Sequence, residues 1–377
     1  MMRLFLLLFL LLSVSVCLAQ KYDYNWLSGS PANQSAILKF NNKVLSSFDT
    51  IVPILYTTIG IVTISDKEGI MRFYTNGNYI TDSSHQLMAN SLGLNEGSPW
   101  RGGKAQPYIH YCRFCYQVIP DNYDEGVFYL IHPLLLQASD PEFVVSSAKT
   151  YITKIDINRN NGLGEVVYKN RILLDQETSQ IVKAVQHGNG KDWWIILRSI
   201  DGRYYHKLLL QRDSVIDYKL DYNTETKAFL KNILDKKATV GFSINISPSG
   251  NYILERLGRT HIRLLFFDRC TGETHFINDF NVPLETHEGR TRASEVILYT
   301  MSINDQFAYA WGLNGLYQWD LKAEDIAKSR VKIFGAPLEI DFNEVEYDWP
   351  VDLLPPAFGP DGRIYFFYWW NHYVMNI

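Results

Sequence analysis

The segment His187-Gly188-Asn189-Gly190-Lys191-Asp192 gathers the densest polar chemistry in this chain. An imidazole at 187 could serve as a general base or a ligand, with Asn189 beside it as a second binding group. No nucleophile or paired carboxylate is set next to it by sequence, so a histidine capping a strand before a glycine turn is the weightier reading. Asp66, Asp82 and His85 stand close together across another hairpin and could meet at one rim, as metal or sugar ligands do. Polar residues at loop tips are the ordinary alternative. The binding candidates are therefore Asp66, His85, His187 and Asn189, and no residue qualifies as catalytic.

Three further patterns point more weakly to chemistry. The run Asp156-Ile157-Asn158-Arg159-Asn160-Asn161-Gly162 offers oxygens at alternate positions, as a calcium loop does. Its glycine is seventh rather than sixth, which favours a plain hairpin turn. Cys112 and Cys115 form a Cys-Arg-Phe-Cys motif, but no second pair or histidine pair completes a zinc set. The pairs Trp193-Trp194 and Trp369-Trp370 could stack on sugars. Adjacent strand residues face opposite sides, however, and packing alone calls for large aromatics. There is no P-loop, dinucleotide fingerprint, HExxH, Gly-x-Ser-x-Gly elbow or sialidase-type Asp box, so no cofactor is expected.

The elements that must position these residues show themselves through their turns. Ser65 to Gly69, Asp124 to Gly126, Gly188 to Asp192, Ser247 to Gly250, Ser302 to Asp305 and Gly359 to Gly362 each precede an aromatic, β-branched run. Gly, Asn and Asp accept the positive φ of a tight turn, and Pro presets φ early in one. Gly69, Gly126, Gly190, Gly250, Asp305 and Gly362 lie 57, 64, 60, 55 and 57 residues apart. That step is too long for a solenoid coil and unexplained by a β-sandwich, and it suits a four-stranded propeller blade. Further hairpins around Asp201-Gly202, Cys270 to Glu273 and Asn314-Gly315 supply three or four strands per repeat. Helices are expected only as short insertions at 224–236 and 323–329. The expectation is an all-β propeller of about six to seven four-stranded blades occupying residues 20–377.

Composition agrees with this. Aromatics make up 14% of the 377 residues, which suits pleated, half-buried surfaces. A formal net charge of −4 provides no field to attract nucleic acid. Arg3, the apolar run from Leu4 to Leu12 and the small-residue end at Ala19 read as a signal peptide over residues 1–19, cut before Gln20. The apolar run is too short for a comfortable membrane span, and no later stretch is long enough for a transmembrane anchor. Export would leave Cys112, Cys115 and Cys270 in an oxidising compartment, with room for one disulfide and one thiol left over.

In order along the chain, several motifs resemble a group of secreted Bacteroidota β-propeller proteins with WD40-like or PD40-like repeats. They include Asn25-Trp26-Leu27-Ser28-Gly29, Arg72-Phe73-Tyr74-Thr75-Asn76-Gly77, His85-Gln86-Leu87-Met88 and Gly162-Leu163-Gly164-Glu165-Val166-Val167. Val185 to Gly190 with Asp192-Trp193-Trp194, Phe267 to Gly272 and Gly359 to Tyr365 continue the series. The resemblance implies a secreted or surface-displayed propeller and no particular activity. Many members of that group end in a type IX secretion sorting domain, whereas this chain stops at Ile377. Two readings stay open: a truncated form with an incomplete last blade, or a ring without the tail, which the signal peptide alone would deliver to the periplasm.

The functional expectation is a monomeric exported propeller that binds a glycan, a peptide or an envelope protein. The alternative is a secreted polysaccharide or peptide hydrolase or lyase with its site in the propeller funnel. Two carboxylates, or a histidine and a carboxylate, converging in the funnel would favour the second.

Overall fold

The structure, a computed structural model, describes residues 23–29, 35–41, 44–51, 61–96, 115–136, 146–199, 204–222, 243–257, 260–282, 298–312, 315–334, 357–367 and 374–376. Residues 1–19, Cys112, 224–236, Trp369 and Trp370 lie outside them.

The aromatic and β-branched runs fold into antiparallel meanders. The first contains β1 (Asn25–Gly29), β2 (Ser35–Asn41) and β3 (Val44–Ile51), and the second β4 (Val62–Ser65), β5 (Met71–Thr75) and β6 (Ile80–Asp82). The third runs through β7 (Gln117–Pro120), β8 (Val127–Leu136), β9 (Ser146–Asp156) and β10 (Glu165–Leu174). The fourth has β11 (Thr178–Gln186), β12 (Trp193–Ser199), β13 (Tyr204–Gln211) and β14 (Ser214–Tyr222). The fifth has β15 (Ser243–Ile246), β16 (Tyr252–Leu257), β17 (His261–Phe267) and β18 (Thr274–Asn281). The sixth has β19 (Leu298–Met301), β20 (Phe307–Gly312), β21 (Gly315–Asp320) and β22 (Val331–Phe334). The seventh has β23 (Ala357–Phe358), β24 (Ile364–Phe367) and β25 (Val374–Asn376). Among the described residues these strands form six hydrogen-bonded sheets. Meanders three and four share one of them, because Ser146 and Ser147 of β9 pair with Ser179 and Thr178 of β11.

The cores lie between consecutive meanders rather than within one, and this makes the molecule a β-propeller. Along β12, Trp193, Ile195 and Leu197 pack towards the third meander, while Trp194 and Ile196 pack towards the fifth. Along β8, Phe128 and Leu130 meet the second meander, whereas Val127, Tyr129 and Ile131 meet the fourth. A period of two with both faces apolar is what a strand sandwiched between neighbouring sheets requires. Leu254, Ile262 and Leu264 of the fifth meander pack on Ala308, Tyr317 and Trp319 of the sixth. Leu27 and Ile37 of the first pack beside Tyr74 of the second. The series closes on itself, since Tyr365 of the seventh is buried with Leu38 and Phe40 of the first. The first strands of successive meanders lie side by side, β1 on β4, β4 on β7, β7 on β11, β11 on β15 and β15 on β19, and form the inner wall.

The repeat read from the sequence is one turn used six times. The amide of Gly69 donates to the carbonyl of Asp66, Gly190 to His187, Gly250 to Ser247, Asp305 to Ser302 and Gly362 to Gly359; in the longer turn of the third meander Val127 donates to Asp124. The turn glycine sits at positive φ, from Gly190 at 72° to Gly69 at 87°. Asp305 takes that role at φ 55° without being glycine, a conformation that Asp tolerates better than most residues. The spacing expected from these turns is therefore a true structural period.

One element differs from expectation. Residues 323–329 form turns rather than a short helix. Asp320 Oδ1 accepts the Lys322 amide and Asp325 Oδ1 the Lys328 amide, so side chains take hydrogen bonds that a helix would have used.

Candidate functional site

The residues singled out from the sequence mostly spend their polar atoms inside their own turns. Asp66 Oδ1 accepts the amides of Glu68 and Ile70 at 3.0 and 2.9 Å, and its other oxygen lies 3.6 Å from Arg72 Nη1. Asp82 Oδ1 accepts the Ser84 amide and hydroxyl and the Gln86 amide. His85 stands at φ 63° with its ring 5.8 Å from that of Tyr74. Its buried Nδ1 has no hydrogen-bond partner among the described residues.

His187 Nδ1 accepts the Asn189 amide at 3.0 Å, which places the ring proton on Nε2, the donor to the Cys270 carbonyl at 3.0 Å. Asn189 Oδ1 accepts the amides of Lys191 and Asp192, and its Nδ2 donates to Asp192 Oδ2 at 2.7 Å. The turn thus docks onto the fifth meander, where the Gly188 amide also donates to the Arg269 carbonyl. Asp66 and His85 belong to the second meander, His187 and Asn189 to the fourth, and the hydrogen bonds join them in two separate turns.

The calcium-like run is a turn as well. Asp156 Oδ1 accepts the Asn158 amide, its Oδ2 pairs with Arg159 Nε at 3.2 Å, and Asn160, Asn161 and Gly162 all have positive φ. Among the described residues no three His, Cys, Asp or Glu side chains gather as a metal ligand set. Cys115 is buried and disulfide-bonded, while Cys270 is an exposed free thiol.

A site that the sequence reading missed lies where three inner strands converge. A cavity of about 390 Å³ opens between β7, β11 and β15 and the turn after β15. Gln117 comes from β7 and Lys183 to Gln186 from β11; Asn245 to Gly250 come from β15 and its turn, with Trp193 and Arg269 completing the wall. Lys183 is on the face of β11 that carries Ile181 and Val185 towards the fifth meander. Among the described residues its ammonium has no hydrogen-bond or ion-pair partner, and burial lowers its pKa to about 8. Arg269 is held in place by Nε donating to Asn251 Oδ1 at 3.1 Å and Nη1 reaching the Gln186 carbonyl at 3.4 Å. Asn245 is fixed by its Nδ2 donating to the Tyr299 carbonyl, and Trp193 by Nε1 donating to the Pro120 carbonyl. The wall includes two cations and several amide residues, and among the described residues no carboxylate or imidazole lines it.

Two other concentrations of charge lie in these meanders, Arg198 with Glu255 between the fourth and fifth, and Arg263, Asp279 and His261 within the fifth. Arg198 Nη2 lies 3.0 Å from Glu255 Oε1, with both side chains almost fully buried. Nearby, Arg263 grips both oxygens of Asp279 at 2.9 and 3.0 Å, and His261 lies 3.1 Å from the same carboxylate. Burial would raise the Asp279 carboxyl, but hydrogen bonds from His261 and Arg263 hold it at about 2. A buried pair such as Arg198–Glu255 strongly penalises loss of one partner and fixes how the fourth and fifth meanders meet.

No family model matches the chain, and no curated protein matches it. Among solved structures, the Kuenenia stuttgartiensis hydrazine synthase aligns over 94% of this chain and 96% of its own at 8% identity, with a TM-score of 0.46. The β-propeller domain of Myceliophteria thermophila Cps50 (Swd1) gives the same identity, coverages and TM-score. Kluyveromyces lactis Hsv2 aligns over 94% of this chain and 90% of its own at 9% identity, with a TM-score of 0.44. These likenesses are too distant to carry any activity to this chain.

Proposed function

We propose that this chain is an exported propeller that works by binding, holding a glycan, a peptide or an envelope protein at the cavity formed by its inner strands. The observation that carries this reading is the cavity wall. Its amides and its two cations, Lys183 and Arg269, can orient a polar ligand, and its volume of about 390 Å³ falls within the usual range of small-molecule sites, about 300–1,000 Å³. A glycosidase or lyase of the kind considered above needs a carboxylate pair, or a histidine with a carboxylate, at the reacting bond. Among the described residues neither type of side chain lines this cavity. The Cys115 disulfide supports folding in an oxidising compartment. The signal-peptide pattern and the resemblance to secreted Bacteroidota propellers support display at the cell surface or release, or a periplasmic location if no sorting domain follows. No helix among the described residues is long and apolar enough to cross a membrane.

The test is to present residues 20–377 to glycan and peptide arrays and to recover whatever is retained. The expected result is saturable retention of a defined ligand class, recovered unchanged. Absence of any retention by folded protein, or recovery of cleaved ligand, would overturn the reading.

A further inference from the structure

We propose that the outer strand of the fourth meander is a docking edge for a second copy of this chain, β14 pairing antiparallel with its own image across a two-fold axis at Tyr218. β14 has nine residues and ends its sheet; β13 pairs with one edge, and among the described residues no strand pairs with the other. An open edge presents a row of unpaired amides and carbonyls, which short length, proline or a bulge ordinarily blunts. β14 is long and has no proline. Its one bulge adds Ile216 between Val215 and Asp217 and leaves the pairing with β13 regular from Asp217 to Tyr222. The Tyr218 amide is spent on an exposed hydrogen bond to Asp217 Oδ1 at 2.8 Å, so it belongs to the open edge.

The residue pattern of β14 selects the occupant. A two-fold interface must be complementary to itself. With Tyr218 opposite its own image, Asp217 falls opposite Lys219 of the second copy, Lys219 opposite its Asp217, and Ile216 opposite its Leu220. Opposite charges and apolar pairs attract across strands, like charges repel, and symmetry makes each of these contacts twice. The apolar members lack cover in the single chain: Ile216, Tyr218 and Leu220 are 50, 43 and 51% exposed. Tyr218 is already fixed in place, stacked on His206 and bonded through its hydroxyl to Nδ1 at 2.8 Å. Lys219 gives one proton to the Thr271 carbonyl, which leaves its ammonium further donors. On docking, the Tyr218 amide passes from Asp217 to the carbonyl of the second Tyr218, and the freed carboxylate meets Lys219.

The other outer strands are less suited to this. On β10, Glu165, Lys169 and Arg171 are tied to Arg159, Asn90 and Asp213. On β18, Asp279 is held by Arg263 and His261, and β22 is only four residues long. A foreign peptide could add to the same backbone edge, but it would not call for a charge pattern complementary to its own reverse.

The test is sedimentation of residues 20–377 over a range of protein concentrations, and a reversible dimer is the expected result in place of the monomer expected from the sequence. Lys219→Asp sets two acids opposite each other and Asp217→Lys sets two lysines, so each should weaken the dimer by about 10-fold or more. The exchange D217K/K219D restores opposite charges and should restore the wild-type affinity. If the single variants do not fold, the wild type decides by hydrogen exchange: the Tyr218 amide should exchange more slowly as protein concentration rises. A monomer at every concentration, a dimer indifferent to the single changes, or a double exchange that fails to rescue overturns the proposal. Protection of the Tyr218 amide that does not vary with concentration overturns it as well, since the edge is then covered within one chain. None of these outcomes depends on whether array ligands bind.

Discussion

Lys183 shows how a single residue can matter to function at some expense to stability. Its ammonium is easier to deprotonate in the folded protein than in the unfolded chain, with a pKa near 8 against an ordinary 10.5. Below about pH 8 both states carry the proton, and the folded state bears the full burden of a buried, unneutralised charge. That burden fades as pH rises from about 8 towards 10.5, because only the unfolded chain then holds the proton. The cost is at most about 3 kcal/mol and is reduced by water entering the cavity mouth. Lys183→Met should therefore melt at a higher temperature than the wild type at pH 7, with the gap narrowing as pH approaches 10. A lower Tm for K183M at pH 7 would show that the lysine stabilises the fold and has a partner of its own.

None of this was legible in the sequence. Lys183 stands in an ordinary strand pattern, Ile181-Val182-Lys183-Ala184-Val185, and its neighbours in the cavity range from Gln117 to Arg269. A site assembled from three inner strands leaves no local motif. Conversely, Asp66, His187 and Asn189 stood out because turns concentrate polar residues, and the turns use them: their oxygens and nitrogens are bonded to amides two to four residues away. Residue type at a loop tip could not distinguish a ligand group from a turn-builder, whereas hydrogen-bond accounting does.

At the scale of the element, the turns carried the fold. Their residues are constrained by backbone geometry, so the same few types recur wherever the chain reverses. Gly250 shows how tight that constraint is. It stands at φ 79°, and a Cβ there would come within 2.4 Å of Val185 Cγ2 and 2.8 Å of Arg269 Cδ. Both neighbours belong to the cavity wall, so Gly250→Ala should combine left-handed backbone strain with overpacking, a loss of about 2–3 kcal/mol in denaturant unfolding. It should also weaken ligand binding, because Arg269 must move. An unfolding midpoint equal to that of the wild type would mean that the turn is looser than described. No turn of the first meander is among the six signals, although its own first hairpin, from Gly29 to Ser35, contains Gly29, Pro31 and Asn33.

At the scale of the whole molecule, strands with two apolar faces make the architecture necessary. A meander with alternating residues buried on both sides cannot be stable alone, and each gains its second cover only from the next. The series is satisfied when the last meander covers the first, and three rings perform that closure. Trp26 and Phe40 lie 4.8 Å apart, and Tyr365 sits 5.2 and 5.7 Å from them in edge-to-face geometry, with its hydroxyl donating to Asp361 at 2.6 Å. Burial and that carboxylate push the Tyr365 phenol up to about 12, so it stays neutral and hydrogen-bonded across the physiological range. The period in the sequence announced a ring, but which residues would join its ends depended on contacts more than 300 positions apart along the chain.

The most direct test of this account compares Tyr365→Ala with Tyr365→Phe in equilibrium unfolding. Closure through the three rings predicts a loss of about 3–5 kcal/mol for Y365A, the cost of removing a buried aromatic, and only about 1 kcal/mol for Y365F, which gives up a single hydrogen bond. Hydrogen exchange should then rise in both β2 and β24, at opposite ends of the chain, in Y365A alone. Equal stability of the two variants, or faster exchange confined to β24, would contradict a ring closed by the last meander on the first.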